Sequence, residues 1–448
     1  MKKINLLSGP IDSTLRQFSY PLAFSFIINI LYTWVDMYYV SRLGPTEVAA
    51  LGVSEQILFF VFAIASGFAV GAGVMVARRI GENNKEEASH TSTQAILYMA
   101  FFSTLLAIIL YFSNTYIISL MNIKGDVAHF ANLYLSAVII GLPANFLIFQ
   151  VNAIVRSSGN SFFQMAILST TILLNAIIAP FLVFGIGPFP RLEVYGAGLA
   201  TAIAQIIGAT ISLILYFWKI RILPLNSKMF KIDWGMYFRI LKLGIPASLQ
   251  LISVSLNRIA LSSIHFKFGE DVLTAYVLGL RIDFFVYQTI FAIGTAVEVT
   301  TGQNLGANQL KRVFAYHRSA IKQISILLCV LIILVLFGGK YFALIYTSDP
   351  NLIAKITKYL SIAAFSYLPF AVGLISIRVI SGAGDYIRSL KIIATILLGV
   401  QLTTCYLLSN YTFLGYEGIW YGVLISQVLF AVAGLYGMNK KKWMKVRV

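Results

Sequence analysis

Four polar residues near the N-terminus stand at helical spacing: Ser25, Asn29, Tyr32 and Asp36, separated by four, three and four positions. On an α-helix they share one face, while Phe26, Ile27, Ile30 and Leu31 cover much of the rest. Asp36 is the member that can do chemistry. It lies eight residues before Gly44, on the order of 12 Å below the following loop by helical rise, too deep for a short carboxylate to snorkel. An ionisable side chain at such depth in a bilayer costs roughly 2.5 to 3.5 kcal/mol on insertion scales, so the face should line a cavity that is wet part of the time. A lone carboxylate there can load a proton from one side and release it on the other. The competing reading is a structural carboxylate, hydrogen-bonded to a neighbouring helix or hydrated near the outer interface.

Other apolar stretches of the first half supply partners. Asn145 and Asn152 are seven apart, Asn175 stands shortly before Pro180, and Thr201 and Gln205 are four apart. Singly, each reads as an ordinary interhelical hydrogen bond; together they predict a polar pocket. The second half is charged differently, with Gln250, Ser253, Asn257 and Arg258 on one stretch and Arg281, Asp283, Gln288 and Glu298 on the next. Here the expectation is that Asp283 or Glu55 neutralises one of the arginines, and that Arg378 reaches the cytoplasmic interface. All four histidines, His90, His129, His265 and His317, fall in loops or at helix ends. No span carries paired carboxylates at metal-binding spacing or a nucleophile with a matched base. An enzyme, a metal site and a cofactor are therefore not expected. Cys329 and Cys405 fall inside predicted helices, where a disulfide is not expected either.

The elements that carry these residues are membrane spans. The 448 residues are 58% hydrophobic and 11% charged, with a mean hydropathy of +0.82, outside the range of soluble domains. About twenty apolar residues cross the ~30 Å hydrocarbon core, and twelve such runs are centred near Ile30, Ala63, Leu105, Ile140, Leu173, Gln205, Ser253, Tyr287, Leu328, Ala371, Leu397 and Leu424. Met1 to Asp12 lacks the apolar core and cleavage site of a removable signal peptide. When loops are assigned alternately to two sides, one side holds 24 Lys and Arg and the other 7, with Arg258, Arg281 and Arg378 inside spans. Positive charge favours the cytoplasmic side, so both termini are expected there, in a cell inner membrane. The net charge of +17, including the tail Lys440, Lys441, Lys442, Lys445 and Arg447, then reads as a topology anchor on anionic lipid, with no need for nucleic acid.

An internal repeat organises the spans. At a spacing of 225 residues Pro21 pairs with Pro246, Gly44 with Gly269, Ala50 with Ala275, Gly81 with Gly306, Asn83 with Asn308, Tyr134-Leu135-Ser136 with Tyr359-Leu360-Ser361, and Gly159 with Gly384. Later the spacing becomes 222, pairing Gly196 with Gly418 and Gln205 with Gln427. The fold expected is an all-α membrane protein: two six-helix bundles, residues 1–222 and 223–448, joined by the basic stretch Lys219 to Lys242 with Pro224 and Asn226. Six spans per copy is an even number, so the copies should be related by a pseudo-two-fold axis along the membrane normal, with the substrate path between them.

These residues resemble a known family. Gly44-Pro45-Thr46-Glu47-Val48-Ala49-Ala50-Leu51-Gly52, after an Asp-bearing first helix, is similar to the signature of MATE (multidrug and toxic compound extrusion) transporters. So are Gln303-Asn304-Leu305-Gly306-Ala307-Asn308 and their first-half counterpart Arg79-Ile80-Gly81-Glu82-Asn83. The resemblance covers essentially the whole chain. It implies a V-shaped pair of bundles that alternates between outward-open and inward-open states, exporting amphipathic, mostly cationic compounds in exchange for protons or sodium ions, as a monomer. Carried over by position, Asp36 matches the coupling carboxylate, with Asn175 and Thr201 beside it. Asn29, Tyr32, Asn152, Asn175, Ala197 and Thr201 match positions lining the first-half pocket in the DinF-like branch. At Ala179 many members have Asp, and helix 10 lacks the acidic residue of the NorM-like branch. The loss of that carboxylate favours a proton over sodium, which as a hard cation should prefer a cage of several oxygens. The rival functions are a sodium-coupled exporter, a lipid-linked oligosaccharide flippase attracted through Arg258 and Arg281, and an intramembrane enzyme.

Overall fold

The computed structural model describes residues 4–220 and 227–446. Among the described residues, twelve helices are long and apolar enough to cross a membrane: α1 Ile11–Val40, α2 Pro45–Gly81, α3 Lys85–Leu120, α4 Gly125–Ser157, α5 Phe162–Phe184, α6 Glu193–Trp218, α7 Trp234–Phe266, α8 Glu270–Gly306, α9 Leu310–Tyr346, α10 Pro350–Gly382, α11 Tyr386–Tyr411 and α12 Glu417–Asn439. Each contains one of the twelve centres read from the sequence. The expected joint between bundles, including Pro224, Asn226 and the boundary at 222/223, lies outside the described residues, as does Arg447 of the basic tail. The basic stretch does not remain a linker as far as Lys242, because α7 has already begun at Trp234 and buries Met236 and Ile240.

The repeat is written into the backbone as well as the side chains. Asn83 and Asn308 both adopt a φ of 58°, each closing the turn after its helix by an N–H bond of 3.1 Å to the third residue back, Ile80 and Leu305. Gly159 and Gly384 share φ values of 93° and 95°. This left-handed region is open to glycine and tolerable for asparagine, which is why those residue types recur at these two pairs.

The helices cluster into two units with an exchange at their edges. One contains Met1–Ile4 and Phe24–Ser248, the other Asn5–Ala23 and Leu249–Val448. Thus α1 crosses from the second unit into the first between Ala23 and Phe24, and α7 crosses the other way between Ser248 and Leu249. The crossings are again 225 apart, two residues after the prolines at 21 and 246, each inside its helix and each removing a backbone N–H donor.

In the first unit α4 is the central helix, packing against α2, α3 and α6. Its approach to α6 depends on Gly141, where a Cβ would stand 2.6 Å from the Ala202 Cα. The segment that leads into α7 is held here by α3. Gln94 Nε2 donates to the carbonyls of Met229 and Lys231 at 2.7 and 2.6 Å, and the Gln94 carbonyl oxygen accepts from the Asp233 N–H at 3.1 Å.

In the second unit α10 takes the corresponding central place, against α8, α9 and α12. The exchanged N-terminal arm is gripped by polar groups of α8 and α9. Leu6 O accepts from the Tyr316 hydroxyl at 2.9 Å and Asn304 Nδ2 at 3.2 Å, while Arg312 Nη2 donates to Gly9 O at 2.7 Å. Further along, the Ser319 hydroxyl donates to Asp12 Oδ1 at 2.5 Å. Cys329 and Cys405 are both free thiols.

Candidate functional site

Asp36 lies one turn before the end of α1, with 5% of its surface exposed. Three helices of the first unit converge on it. Asn175 Nδ2 on α5 donates to Oδ1 at 2.7 Å, Thr201 Oγ1 on α6 donates to Oδ2 at 3.0 Å, and the Tyr134 hydroxyl on α4 donates to Oδ2 at 3.4 Å. Both carboxylate oxygens are thereby engaged. Among the described residues no Lys or Arg forms an ion pair with Asp36. The aspartate therefore stands as a buried acid ringed by neutral donors, an arrangement suited to gaining and losing a proton without breaking a salt bridge.

The α1–α5 contact is built from backbone chemistry. Pro180 inside α5 has no N–H to give the carbonyl four residues back, that of Ala176. The Tyr39 hydroxyl takes that carbonyl at 3.0 Å. A proline defect in one helix thus becomes the docking point for another, one turn from Asp36.

The remaining sequence candidates fall into two groups. The Tyr32 hydroxyl lies beside Asp36, Asn175, Thr201 and Gln205. Asn152 and Gln205 are buried, and Asn152 Oδ1, Asn175 Oδ1 and Gln205 Oε1 have no hydrogen-bond donor among the described residues. Such buried acceptors carry spare bonding capacity. Asn29, by contrast, is on the exposed side of α1. Ala197 packs in an apolar cluster with Val40, Leu51, Tyr134, Val138, Val183 and Val194. Ala179, where the family resemblance leads one to look for an acid, is wholly buried against Leu182 and Ala200.

Two residues at the site were not singled out for it in the sequence. Tyr134 was marked only as a member of the repeat, and Tyr39 carried no signal apart from lying near Asp36. The expected pairing of acids with arginines also turns out differently. Asp283 binds the hydroxyls of Tyr359 and Tyr367, and Glu55 forms no ion pair among the described residues, lying instead within electrostatic reach of Asp36. Arg378 does not extend to the interface alone: it pairs with Glu298 at 2.7 Å, because α8 and α10 pack together and bring the two side chains within reach.

Among known proteins, a probable multidrug resistance protein of Bacillus subtilis, YoeA, is 26% identical over 439 residues, covering 96% of this chain and 94% of its own. An FAD transporter of Shewanella oneidensis is 23% identical over 434 residues, covering 96% and 95%. The fold matches a solved structure described as the outward-facing conformation of a multidrug resistance MATE family transporter, with a TM-score of 0.92 and 22% identity over 100% of this chain and 99% of that one. A transporter of the MOP superfamily from Pyrococcus furiosus matches with the same score, identity and coverage. The MatE family pattern fits twice, over residues 21–181 and 246–407, and both matches begin at the paired prolines. Two copies of that pattern, on twelve spans and over most of the chain, place it plainly: this protein belongs to the MatE family of multi-pass membrane transporters and is not an enzyme.

Proposed function

We propose that this protein is a multidrug efflux antiporter of the cell inner membrane, with both termini cytoplasmic, that exports amphipathic, mostly cationic compounds in exchange for protons carried by Asp36. The observation that carries the reading is the buried Asp36 carboxylate, held by Asn175, Thr201 and Tyr134 with no basic partner among the described residues. One negative charge that a proton can cancel is also one that a cationic drug can exploit, so the two ligands compete and exchange follows. Sodium is the weaker candidate: Ala179 supplies no second carboxylate, and a hard cation seeks several oxygens. Multidrug names among the relatives support the cargo class.

A second reading, export of anionic compounds of nucleotide type, draws on Arg258 and Arg281. Neither forms an ion pair among the described residues, and Arg281 rests over the Tyr346 ring at 5.4 Å. The relative named for FAD carriage lends it the same kind of support. The test is transport by proteoliposomes of a fluorescent cation and, separately, of FAD, under a pH gradient without sodium and under a sodium gradient at equal pH. Proton-driven cation export that is lost in Asp36→Asn is expected. Sodium-only activity, FAD transport alone, or an Asp36→Asn variant that exports as well as wild type overturns the reading.

A further inference from the structure

We infer that Asp283, buried in the second unit, is a second proton acceptor separate from Asp36. The inference rests on the proton-coupled reading above and extends it to the other copy of the repeat.

Asp283 lies in α8 with 2% of its surface exposed. Its Oδ2 accepts from the Tyr359 hydroxyl at 2.5 Å and its Oδ1 from the Tyr367 hydroxyl at 2.6 Å, both from α10. Among the described residues no Lys or Arg pairs with it. The same two helices show what a neutralised acid looks like: Glu298 is matched by Arg378 at 2.7 Å. One buried carboxylate of this unit thus has a counter-cation and the other has two hydroxyls. A tyrosine hydroxyl donates to a carboxylate and, turned about its C–O bond, accepts from a carboxylic acid. The cluster therefore accommodates both protonation states with no side chain displaced. Proton uptake forms one O–H bond at a carboxylate oxygen and leaves water behind; no redox partner is needed.

The pocket is shaped for this contact. A Cβ at Gly279, one turn before Asp283, would lie 2.1 Å from the Tyr359 ring, so glycine there lets the tyrosine reach the acid. The groups around it are few. Tyr276 and Tyr287 stand on α8 itself, with Arg281 on its exposed side. From α7, His265 stacks on Tyr276 at 4.0 Å and Arg258 lies within electrostatic reach of the Tyr276 hydroxyl, as does Cys405 from α11. His265 has both nitrogens occupied, by Leu261 O at 2.7 Å and Trp420 Nε1 at 3.2 Å, and does not compete for the proton. Tyr287, half-buried one turn beyond Asp283, meets the Tyr367 ring edge-on at 6.1 Å and links the cluster to the less buried face of α8.

The repeat supplies an independent argument. Tyr359 is the counterpart of Tyr134, which donates to Asp36. Yet the counterpart of Asp283 is Leu58, packed in the apolar cluster of the first unit, and the counterpart of Asp36 is the buried Leu261. The tyrosine has stayed and the carboxylate has moved to the adjacent helix. Both copies therefore keep a buried acid on the same tyrosine, by different routes.

The test is pH-difference infrared spectroscopy of purified protein in lipid nanodiscs, comparing wild type, Asp36→Asn and Asp283→Asn. A titrating carboxyl band that is lost in Asp283→Asn and retained in Asp36→Asn is expected. Tyr367→Phe should shift the frequency of that band without abolishing it, which keeps the test valid if Asp283→Asn folds poorly. In proteoliposomes loaded with ethidium, Asp283→Asn should lower the proton-to-ethidium ratio by one. An unchanged carboxyl spectrum in Asp283→Asn, a band unmoved by Tyr367→Phe, or an unchanged exchange ratio overturns the inference. Normal export by Asp36→Asn would overturn the Asp36 reading alone, since the infrared band of Asp283 does not depend on it.

Discussion

Tyr134 and Tyr359 occupy equivalent positions 225 residues apart, and each donates its hydroxyl to a buried aspartate of its own unit, at 3.4 Å to Asp36 and 2.5 Å to Asp283. The acids stand on non-equivalent helices, α1 and α8. Duplication of a six-helix unit thus preserved the donor and let the acceptor change its place, which gives each unit its own buried acid with its own surroundings.

The docking of α1 on α5 should respond to its two halves together. Tyr39→Phe leaves the Ala176 carbonyl without the hydroxyl that serves it, at a cost of about 1 to 3 kcal/mol for an unsatisfied buried acceptor. Thermal unfolding in detergent should register the loss. Adding Pro180→Ala returns an N–H to the helix and should recover most of it; a double variant no more stable than the single one would contradict the account.

Arg378→Met should destabilise the second unit by roughly 3 to 5 kcal/mol, since Glu298 would remain buried without its counter-cation, keeping only the Tyr386 hydroxyl. The double variant Arg378→Met with Glu298→Leu should regain much of that stability, because both charges are gone. Chemical denaturation of the three proteins in the same micelle measures the difference.

The exchanged N-terminal arm is held by a charge-assisted bond from Arg312 to Gly9 O. Such bonds contribute about 1.5 to 3 kcal/mol, so Arg312→Ala should speed amide exchange in residues 5–14 by at least about tenfold if the arm opens locally. Mass-spectrometric hydrogen exchange reads this directly, and unchanged protection would remove the arm's dependence on Arg312.

Gly141→Ala should lower thermal stability by about 1 to 3 kcal/mol, the usual range for an overpacked contact, because α4 and α6 would be forced apart at Ala202. Gly338→Ala, where a Cβ meets nothing within 4 Å, is the matched control and should leave the melting temperature unchanged or raise it.

Reporter fusions after Val446 should be active only with cytoplasmic reporters, as the 24 to 7 division of Lys and Arg requires. Periplasmic activity of the same fusion would reverse the orientation.

The twelve spans, the repeat and a deep acid at Asp36 were legible in the residues alone, while Asn29 of the same stripe faces the exposed side of α1. The physical reason is that a bilayer punishes each polar group locally, so hydropathy, helical period and the rare buried acid are all written along the chain. Asn175 and Thr201 were legible too, as polar groups on apolar spans with few alternatives. What required the tertiary structure was every choice among partners. Asp283 takes two tyrosines rather than an arginine because α10 presents Tyr359 and Tyr367 to it across the gap left by Gly279. Arg378 meets Glu298 because α8 packs on α10. Tyr39 finds Ala176 only where Pro180 has freed a carbonyl on a helix 137 residues away. The exchange of the first halves of α1 and α7 was hidden for the same reason: local sequence sets which residues form a helix, while the unit that each half joins depends on contacts between residues as far apart as Leu6 and Tyr316.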